Sequence, residues 1–132
     1  IPENNRSQIL EKNGHRIILD AYNANPTSMK AALESFKALE GKNKIAFLGD
    51  MFELGKNASE EHQNISNLVN QFGFADVFLV GENFNATSTS LKTFMSFEKL
   101  ADYLEKNPLK NTGDLLIKGS RGMALERLID IL

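Results

Sequence analysis

Four short polar segments of this sequence carry residue types that can bind a ligand, and each follows a run of apolar residues. They are Asp20–Asn25, Gly49–Gly55, Gly81–Asn85 and Lys118–Arg121. Carboxylates and amides hydrogen-bond polar ligand groups, and a glycine turn that opens a helix can bind an anion through its backbone N–H groups. In open parallel sheets, ligands bind beyond the carboxyl ends of the strands, so these segments predict where the site lies.

Two of these segments resemble nucleotide-binding loops without matching them. Gly49–Lys56 is one residue too long between its glycines for a P-loop, and Asn57 stands where that motif needs Ser or Thr to hold Mg²⁺. Gly119–Gly122 lacks the spacing of a dinucleotide-binding fingerprint. We therefore assign no catalytic residue and no metal ligand to this chain alone.

The elements that would position these segments are strands that alternate with helices. Asn13-Gly14, which lies between Ser7–Lys12 and His15–Tyr22, is the preferred dipeptide of a two-residue turn. It predicts an antiparallel hairpin whose second strand is Arg16–Asp20. Asn25-Pro26 suits the start of a helix, and Gly41 its end. The further predicted elements are strands at Lys44–Leu48, Asp76–Val80, Lys92–Met95 and Leu115–Ile117, and helices at Ser59–Phe72, after Ser96 and after Gly119-Ser120.

This alternation predicts an α/β fold with a Rossmann-like, mostly parallel sheet, helices on both faces and an antiparallel N-terminal edge hairpin. The methionines and the phenylalanines at helical spacing, including Phe36, Phe72 and Phe97, are expected in the core. His62 is offset from the apolar stripe of its helix. We expect it at the surface or as a cap rather than as a catalytic base.

Composition fits one domain, residues 1–132, with no general attraction for nucleic acid or membranes. The length is typical of a single domain. The net charge of −2 gives no pull toward nucleic acid or anionic lipid, and no apolar run approaches the roughly 18 residues that span a bilayer. We expect no signal peptide, and the absence of cysteine is compatible with a cytoplasmic location. Because the first residue is Ile rather than Met, we expect an excised domain.

Three of the polar segments together resemble the Mur ligase family, in particular its members that add D-alanyl-D-alanine. Residues 20–29 read D-A-Y-N-A-N-P-T-S-M, which is similar to the D-x-Y-N-A-N-P-x-S-M signature of those ligases. Gly49–Gly55 and Lys118–Arg121 are similar to their second and third motifs. Asn5–Gln8 is similar to the stretch that leads from the central domain into the last one. The resemblance covers the whole chain in order.

The resemblance implies the C-terminal domain of a three-domain, ATP-dependent ligase of peptidoglycan precursor synthesis. The N-terminal domain would hold UDP-MurNAc-tripeptide, and the central domain would carry the P-loop and the Mg²⁺ ligands. ATP would phosphorylate the terminal carboxylate of the tripeptide, and the amine of D-alanyl-D-alanine would attack the acyl phosphate. The C-terminal domain would close over the central domain, because an acyl phosphate must be shielded from water. The fragment alone is expected to be inactive.

The same resemblance implies an ATP site in this chain. Arg6 would lie near the phosphates, Asp20 at the ribose hydroxyls, and Tyr22, Asn23 and Asn25 around the adenine. The structural alternatives are a surface position for Arg6, turn-closing roles for Asp20 and Asn23, and the cap of a helix for Asn25.

The resemblance also implies an acceptor site. Asp50 and Glu53 would face the substrate amine, or would simply be solvated loop carboxylates. The dipeptide carboxylate would be anchored at a turn that opens the last predicted helix, where N–H groups, a hydroxyl and two positive charges converge. The residues of this turn are Lys118, Gly119, Ser120 and Arg121. The alternative is that Ser120 only caps the helix and Arg121 is solvated.

Two other functions stay open on the residues alone. A stand-alone α/β ligand-binding module would have the same fold but would give residues 22–29 no role. The equivalent domain of another Mur-type amide ligase would differ only in the loops that meet the amine.

Overall fold

A six-stranded mixed sheet is the frame of the computed structural model, which describes residues 7–132; the prediction for Arg6 lies outside the described residues. The strand order is β1-β2-β6-β3-β4-β5. The β1-β2 pair is antiparallel, and the other neighbouring pairs are parallel. The strands are β1 (Gln8–Lys12), β2 (His15–Asp20), β3 (Ile45–Gly49), β4 (Asp76–Val80), β5 (Lys92–Phe94) and β6 (Asp114–Lys118).

Helices cover both faces of this sheet. The α-helices are α1 (Pro26–Ala38), α2 (Ala58–Phe72), α3 (Glu82–Asn85) and α4 (Phe97–Lys106). Side chains of the first three pack in one apolar cluster, whereas α4 and the final 3-10 helix, Leu125–Ile131, pack in the other. The predicted α/β class, with its parallel sheet, two covered faces and antiparallel edge hairpin, is confirmed.

Local sequence signals set the start of several elements. Asn13 and Gly14 both have positive φ, 52° and 86°, as the predicted hairpin turn requires. Asn25 caps α1: its side chain accepts from Ser28 N at 2.8 Å, while Ser28 Oγ accepts from Asn25 N at 3.0 Å. Ser96 caps α4 in the predicted way. The structural alternative for Asn25 is therefore confirmed.

The core is formed by apolar residues of the central strands and the inner helix faces. All five residues of β3 and all five of β6 are buried, as is typical of parallel strands that are covered on both sides. Phe36 is buried, and Phe72 and Phe97 are partly buried against the clusters. The expectation for the methionines is wrong at Met95, which is exposed. Within residues 7–132 no helix is long and apolar enough to cross a membrane.

The end of the chain differs from the prediction. Instead of one final helix after Gly119-Ser120, there are two 3-10 helices, Arg121–Met123 and Leu125–Ile131, separated by Ala124 in a left-handed conformation (φ 51°). Leu125 and Leu128 are both fully buried. A spacing of three brings such residues to one side of a 3-10 helix, so the apolar pattern is satisfied without an α-helix.

Smaller differences occur at other boundaries. Helix α1 ends at Ala38 rather than near Gly41, whereas β2 ends at Asp20 as predicted. The short helix α3 was not predicted from the sequence. It consists of one turn, which is too short to show a periodic apolar pattern.

Candidate active site

The segments predicted from the sequence meet at the carboxyl edge of the sheet. Asp20, the last residue of β2, is the register partner of Lys118, the last residue of β6. Lys118 also pairs with Leu48 in β3, and Gly49 at the end of β3 pairs with Val80 in β4. The strand order therefore places the three motif segments side by side, although they are far apart in sequence.

A buried ion pair joins the first and third segments. Lys118 Nζ lies 3.0 Å from Asp20 Oδ2 and donates to the Asn23 carbonyl oxygen at 3.1 Å. The Lys118 side chain is only 2% exposed, whereas that of Asp20 is 21% exposed. Lys118 is therefore a structural cation in this fold, and the predicted direct contact with a substrate carboxylate does not fit its burial.

The three residues predicted to surround the adenine are exposed to solvent, and the side chain of one of them is engaged within the protein. The Tyr22 ring is 41% exposed, and the Arg121 guanidinium lies over it, 4.5 Å from the ring centroid. Asn23 is exposed, with its carbonyl bound to Lys118. The side-chain oxygen of Asn25 is engaged in the cap of α1. Tyr22, Asn23 and Arg121 thus line one surface, while Asn25 supports the helix that follows it.

Asp50 is buried, in contrast to the expected solvated loop carboxylate. Its Oδ2 accepts from Asn83 N at 2.8 Å and from Asn83 Nδ2 at 3.1 Å, and its Oδ1 accepts from Phe84 N at 3.0 Å. These bonds satisfy N–H groups at the start of α3, which have no partner within the helix. A Cβ at Gly81, where φ is 125°, would lie 2.3 Å from Asp50 Cγ, so this contact requires glycine. Glu53, in the same loop, is exposed with φ of 64°.

The loop that follows β3 is also tied to the third segment. Ser120 N donates to the Asp50 carbonyl oxygen at 3.2 Å, and Phe52 N donates to Ser120 Oγ at 3.0 Å. Ser120 makes no side-chain cap, so the alternative that it only caps the helix is wrong. Its hydroxyl oxygen and its N–H are engaged with the loop, which leaves Arg121 as the exposed charge of the predicted anchor.

The surface prediction for His62 is wrong as well. The residue is fully buried, and its Nε2 accepts from Met51 N at 2.9 Å. The helix face that is offset from the apolar stripe is covered by the 50–52 segment, which the pattern of one helix cannot reveal.

A cleft with a volume of about 340 Å³ opens between this loop and the turn after β4. Its lining residues are Asp50, Phe52, Gly81, Glu82, Asn83, Met95, Ser96, Phe97, Glu98, Gly122, Met123 and Arg127. Phe52 rests on Gly122, since a Cβ there would lie 2.5 Å from the Phe52 ring. The lining combines apolar side chains with polar and charged ones, and small-molecule sites likewise combine the two kinds.

Sequence reasoning missed several of these lining residues. Arg127 is fixed by its own backbone: Nε donates to Ala124 O and Nη2 to Met123 O, both at 2.8 Å. Its guanidinium lies 4.0 Å from the Phe97 ring centroid, and Nη1 is 3.6 Å from Glu98 Oε2. Its position depends on the 3-10 geometry, so no sequence signal pointed to it. Glu82, in contrast, lies in the predicted strand-end segment Gly81–Asn85.

Among residues 7–132, no group of three or more His, Cys, Asp or Glu side chains is placed to hold a metal ion.

In a doubly wound α/β sheet with polar loops gathered at its carboxyl edge, ligands bind at that edge. The chain belongs to the Mur ligase family, since residues 5–121 match the model of its "Mur ligase, glutamate ligase domain".

Several relatives are similar over nearly all of this chain. The UDP-N-acetylmuramoyl-tripeptide--D-alanyl-D-alanine ligase of Rickettsia prowazekii is 36% identical over 135 residues, which cover 95% of this chain and 29% of that protein. The ligase of the same name from Bacillus subtilis is 35% identical, covering 88% of this chain and 27% of that protein. The chain thus spans less than a third of the length of these relatives.

Two solved structures share the fold. The UDP-N-acetylmuramoylalanyl-D-glutamyl-2,6-diaminopimelate--D-alanyl-D-alanyl ligase of Acinetobacter baumannii matches with a TM-score of 0.80 and 30% identity, over 96% of this chain and 28% of that one. The MurF ligase of Thermotoga maritima in complex with ADP matches with a TM-score of 0.76 and 28% identity, over 96% and 30% of the two chains.

The asymmetric burial of the Lys118–Asp20 pair predicts unequal effects of removing its members. Asp20→Ala leaves a buried ammonium without its counter-charge, which costs about 3–5 kcal/mol. Lys118→Met leaves a carboxylate that is one-fifth exposed and can hydrate, so we expect a smaller loss, about 1–3 kcal/mol. Urea unfolding of this chain measures both changes in the free energy of unfolding.

The double variant, which removes both charges, is the matched control for this pair. It should be more stable than Asp20→Ala alone, because the buried charge is then gone. Equal losses in the two single variants, with strict additivity in the double variant, would contradict a coupled buried pair.

Proposed function

We propose that this chain is the C-terminal domain of the ATP-dependent ligase that adds D-alanyl-D-alanine to UDP-MurNAc-tripeptide. The observation that carries the proposal is the similarity over 95% of the chain to a ligase of that name, with the motif of residues 20–29 intact at the carboxyl edge of the sheet. In this proposal the N-terminal and central domains belong to the longer protein. We keep the cytoplasmic location as a prediction.

The first segment would bind the nucleotide. Lys118 engages one oxygen of the Asp20 carboxylate, so the second oxygen can accept from a ribose hydroxyl. The half-exposed Tyr22 ring can stack on adenine, with the exposed Asn23 side chain beside it. The similarity to a ligase structure that holds ADP supports this assignment. Arg6 as a phosphate contact stays a prediction, as does Asn25 as an adenine contact.

The cleft and the adjoining turn would bind the dipeptide. D-alanyl-D-alanine has one amine, one carboxylate and two methyl groups, and the cleft lining combines carboxylates, a guanidinium and apolar rings. Arg121 would anchor the dipeptide carboxylate from the exposed turn, with Gly119 and Ser120 holding the turn in place. Glu53 is a candidate partner for the amine, whereas Asp50 would act by shaping the cleft.

The chemistry would be completed by the central domain, which would supply the P-loop and the Mg²⁺ ligands. The γ-phosphoryl group of ATP passes to the terminal carboxylate of the tripeptide, and ADP is released from the transferred group. The dipeptide amine then attacks the acyl carbon, the C–N bond forms, and phosphate leaves with the C–O bond electrons while the amine loses a proton. The residues of this chain would orient the amine and exclude water from the acyl phosphate.

Activity of the full-length ligase tests this proposal. We expect phosphate release that requires UDP-MurNAc-tripeptide, ATP and D-alanyl-D-alanine together, and none from the isolated chain. The same assay with L-alanyl-L-alanine and with single amino acids is the specificity control. Release driven by a single amino acid but not by the dipeptide would assign the chain to a different amide ligase of the family.

Arg121→Ala in the full-length ligase should mainly impair the use of the dipeptide. Loss of a partly desolvated charge pair costs about 2–5 kcal/mol, so the KM for D-alanyl-D-alanine should rise more than about tenfold. The KM for ATP should change less than the dipeptide KM, because the proposed ribose contact at Asp20 is kept and only the Arg121 contact with the Tyr22 ring is lost. Lys42→Ala removes an exposed cation from the opposite edge of the sheet and is the control. An unchanged dipeptide KM in Arg121→Ala would place the anchor elsewhere.

A further inference from the structure

His62 is a buried imidazole whose two ring nitrogens both have backbone partners. Nε2 accepts from Met51 N at 2.9 Å, and Nδ1 lies 2.6 Å from the carbonyl oxygen of Ala58, one turn earlier in α2. An amide N–H can only donate, and a carbonyl oxygen can only accept. The ring is therefore neutral, with its proton on Nδ1 and a lone pair on Nε2 directed at Met51.

No hydrogen bond joins the His62 ring to the Asp50 carboxylate. Nε2 is 3.8 Å from Asp50 Oδ1, which is beyond hydrogen-bond distance. Both carboxylate oxygens of Asp50 already accept from N–H groups of Asn83 and Phe84. The partner of His62 in this loop is thus the Met51 backbone.

Three consecutive residues after β3 are each held by a different element. The Asp50 carboxylate binds the start of α3, Met51 N–H binds His62 in α2, and Phe52 N–H binds Ser120 after β6. The His62 ring also packs edge-on against Phe84 of α3, with 4.7 Å between the ring centroids. His62 therefore joins α2, α3 and the loop at a single point.

The two neighbours of Met51 line the cleft, whereas Met51 itself is buried beneath them. Met51 is joined covalently to Asp50 and Phe52, so a displacement of its backbone changes the backbone geometry at both residues. The bond that His62 accepts is thus one of the contacts that hold the loop beside the cleft.

We propose that His62 is a positioning residue for the acceptor dipeptide: by holding Met51 N–H it fixes the cleft wall formed by Asp50 and Phe52. The proposal rests on the proposed function, in which the dipeptide binds in this cleft. His62 touches no substrate and acts through the loop. A displacement of about 1 Å in a binding wall can cost on the order of a hundredfold in rate, so the loss of this bond should be measurable.

The experiment compares three variants of the full-length ligase. His62→Leu removes both hydrogen bonds but keeps an apolar side chain. His62→Gln can place an amide oxygen near the Nε2 position, where it accepts the same Met51 N–H. Val69→Ala, in the same helix and fully buried, creates a core cavity without removing a hydrogen bond of the loop and controls for reduced stability.

We expect His62→Leu to change the KM for the dipeptide and not the KM for ATP. His62→Leu should raise the KM for D-alanyl-D-alanine at least about tenfold and leave the KM for ATP within about twofold. His62→Gln should restore the dipeptide KM to within about threefold of the wild type, and Val69→Ala should change neither KM by more than about twofold. A dipeptide KM that is unchanged in His62→Leu, or that His62→Gln does not restore, would overturn the proposal.

Hydrogen exchange of residues 49–57 provides a second readout that does not depend on the substrate. Exchange should accelerate in His62→Leu, return toward wild type in His62→Gln and stay unchanged in Val69→Ala. If the wild-type enzyme does not use D-alanyl-D-alanine, the proposed function fails, and exchange alone then decides whether His62 holds the loop. If His62→Leu does not fold, His62→Asn, which can keep the bond to Ala58 but not the one to Met51, takes its place.

Discussion

Polar groups that are buried at the carboxyl edge of a parallel sheet must find partners within the protein, and this requirement organises the whole site. Unpaired buried amides and charges cost several kcal/mol, so they are rare in folded proteins. Here Lys118 is compensated by Asp20 and by the Asn23 carbonyl, and the N–H groups at the start of α3 are satisfied by Asp50. Asp50 and Lys118, which the sequence predicts to be ligand-binding residues, therefore stabilise the loops.

The exposed side chains of the site lie next to these buried, paired groups. Tyr22 and Arg121 are exposed, yet each lies within a few residues of the buried pair at the ends of β2 and β6. Their cation–π contact connects the segment that we assign to the nucleotide with the turn that we assign to the dipeptide. The exposed side chains of the proposed site are thus positioned by buried groups that are themselves paired.

Much of the fold could be predicted from the sequence because its signals are local. The Asn13-Gly14 turn, the Asn25 cap and the apolar runs of the central strands each depend on neighbouring residues, and the rule for strand ends then brought the motif segments to one edge. Asp50 and His62 were misplaced because burial of a polar residue depends on which distant loop covers it. The last α-helix was wrong because its apolar spacing also fits a 3-10 helix, and the cleft residue Arg127 depends on that geometry.

A crystal structure of the full-length ligase with ADP and D-alanyl-D-alanine tests the central claim most directly. The account predicts adenosine beside Asp20 and Tyr22, and the dipeptide in the cleft between Phe52 and the turn after β4, with its carboxylate toward Arg121. Dipeptide bound outside this cleft, with the ribose hydroxyls away from Asp20, would contradict it.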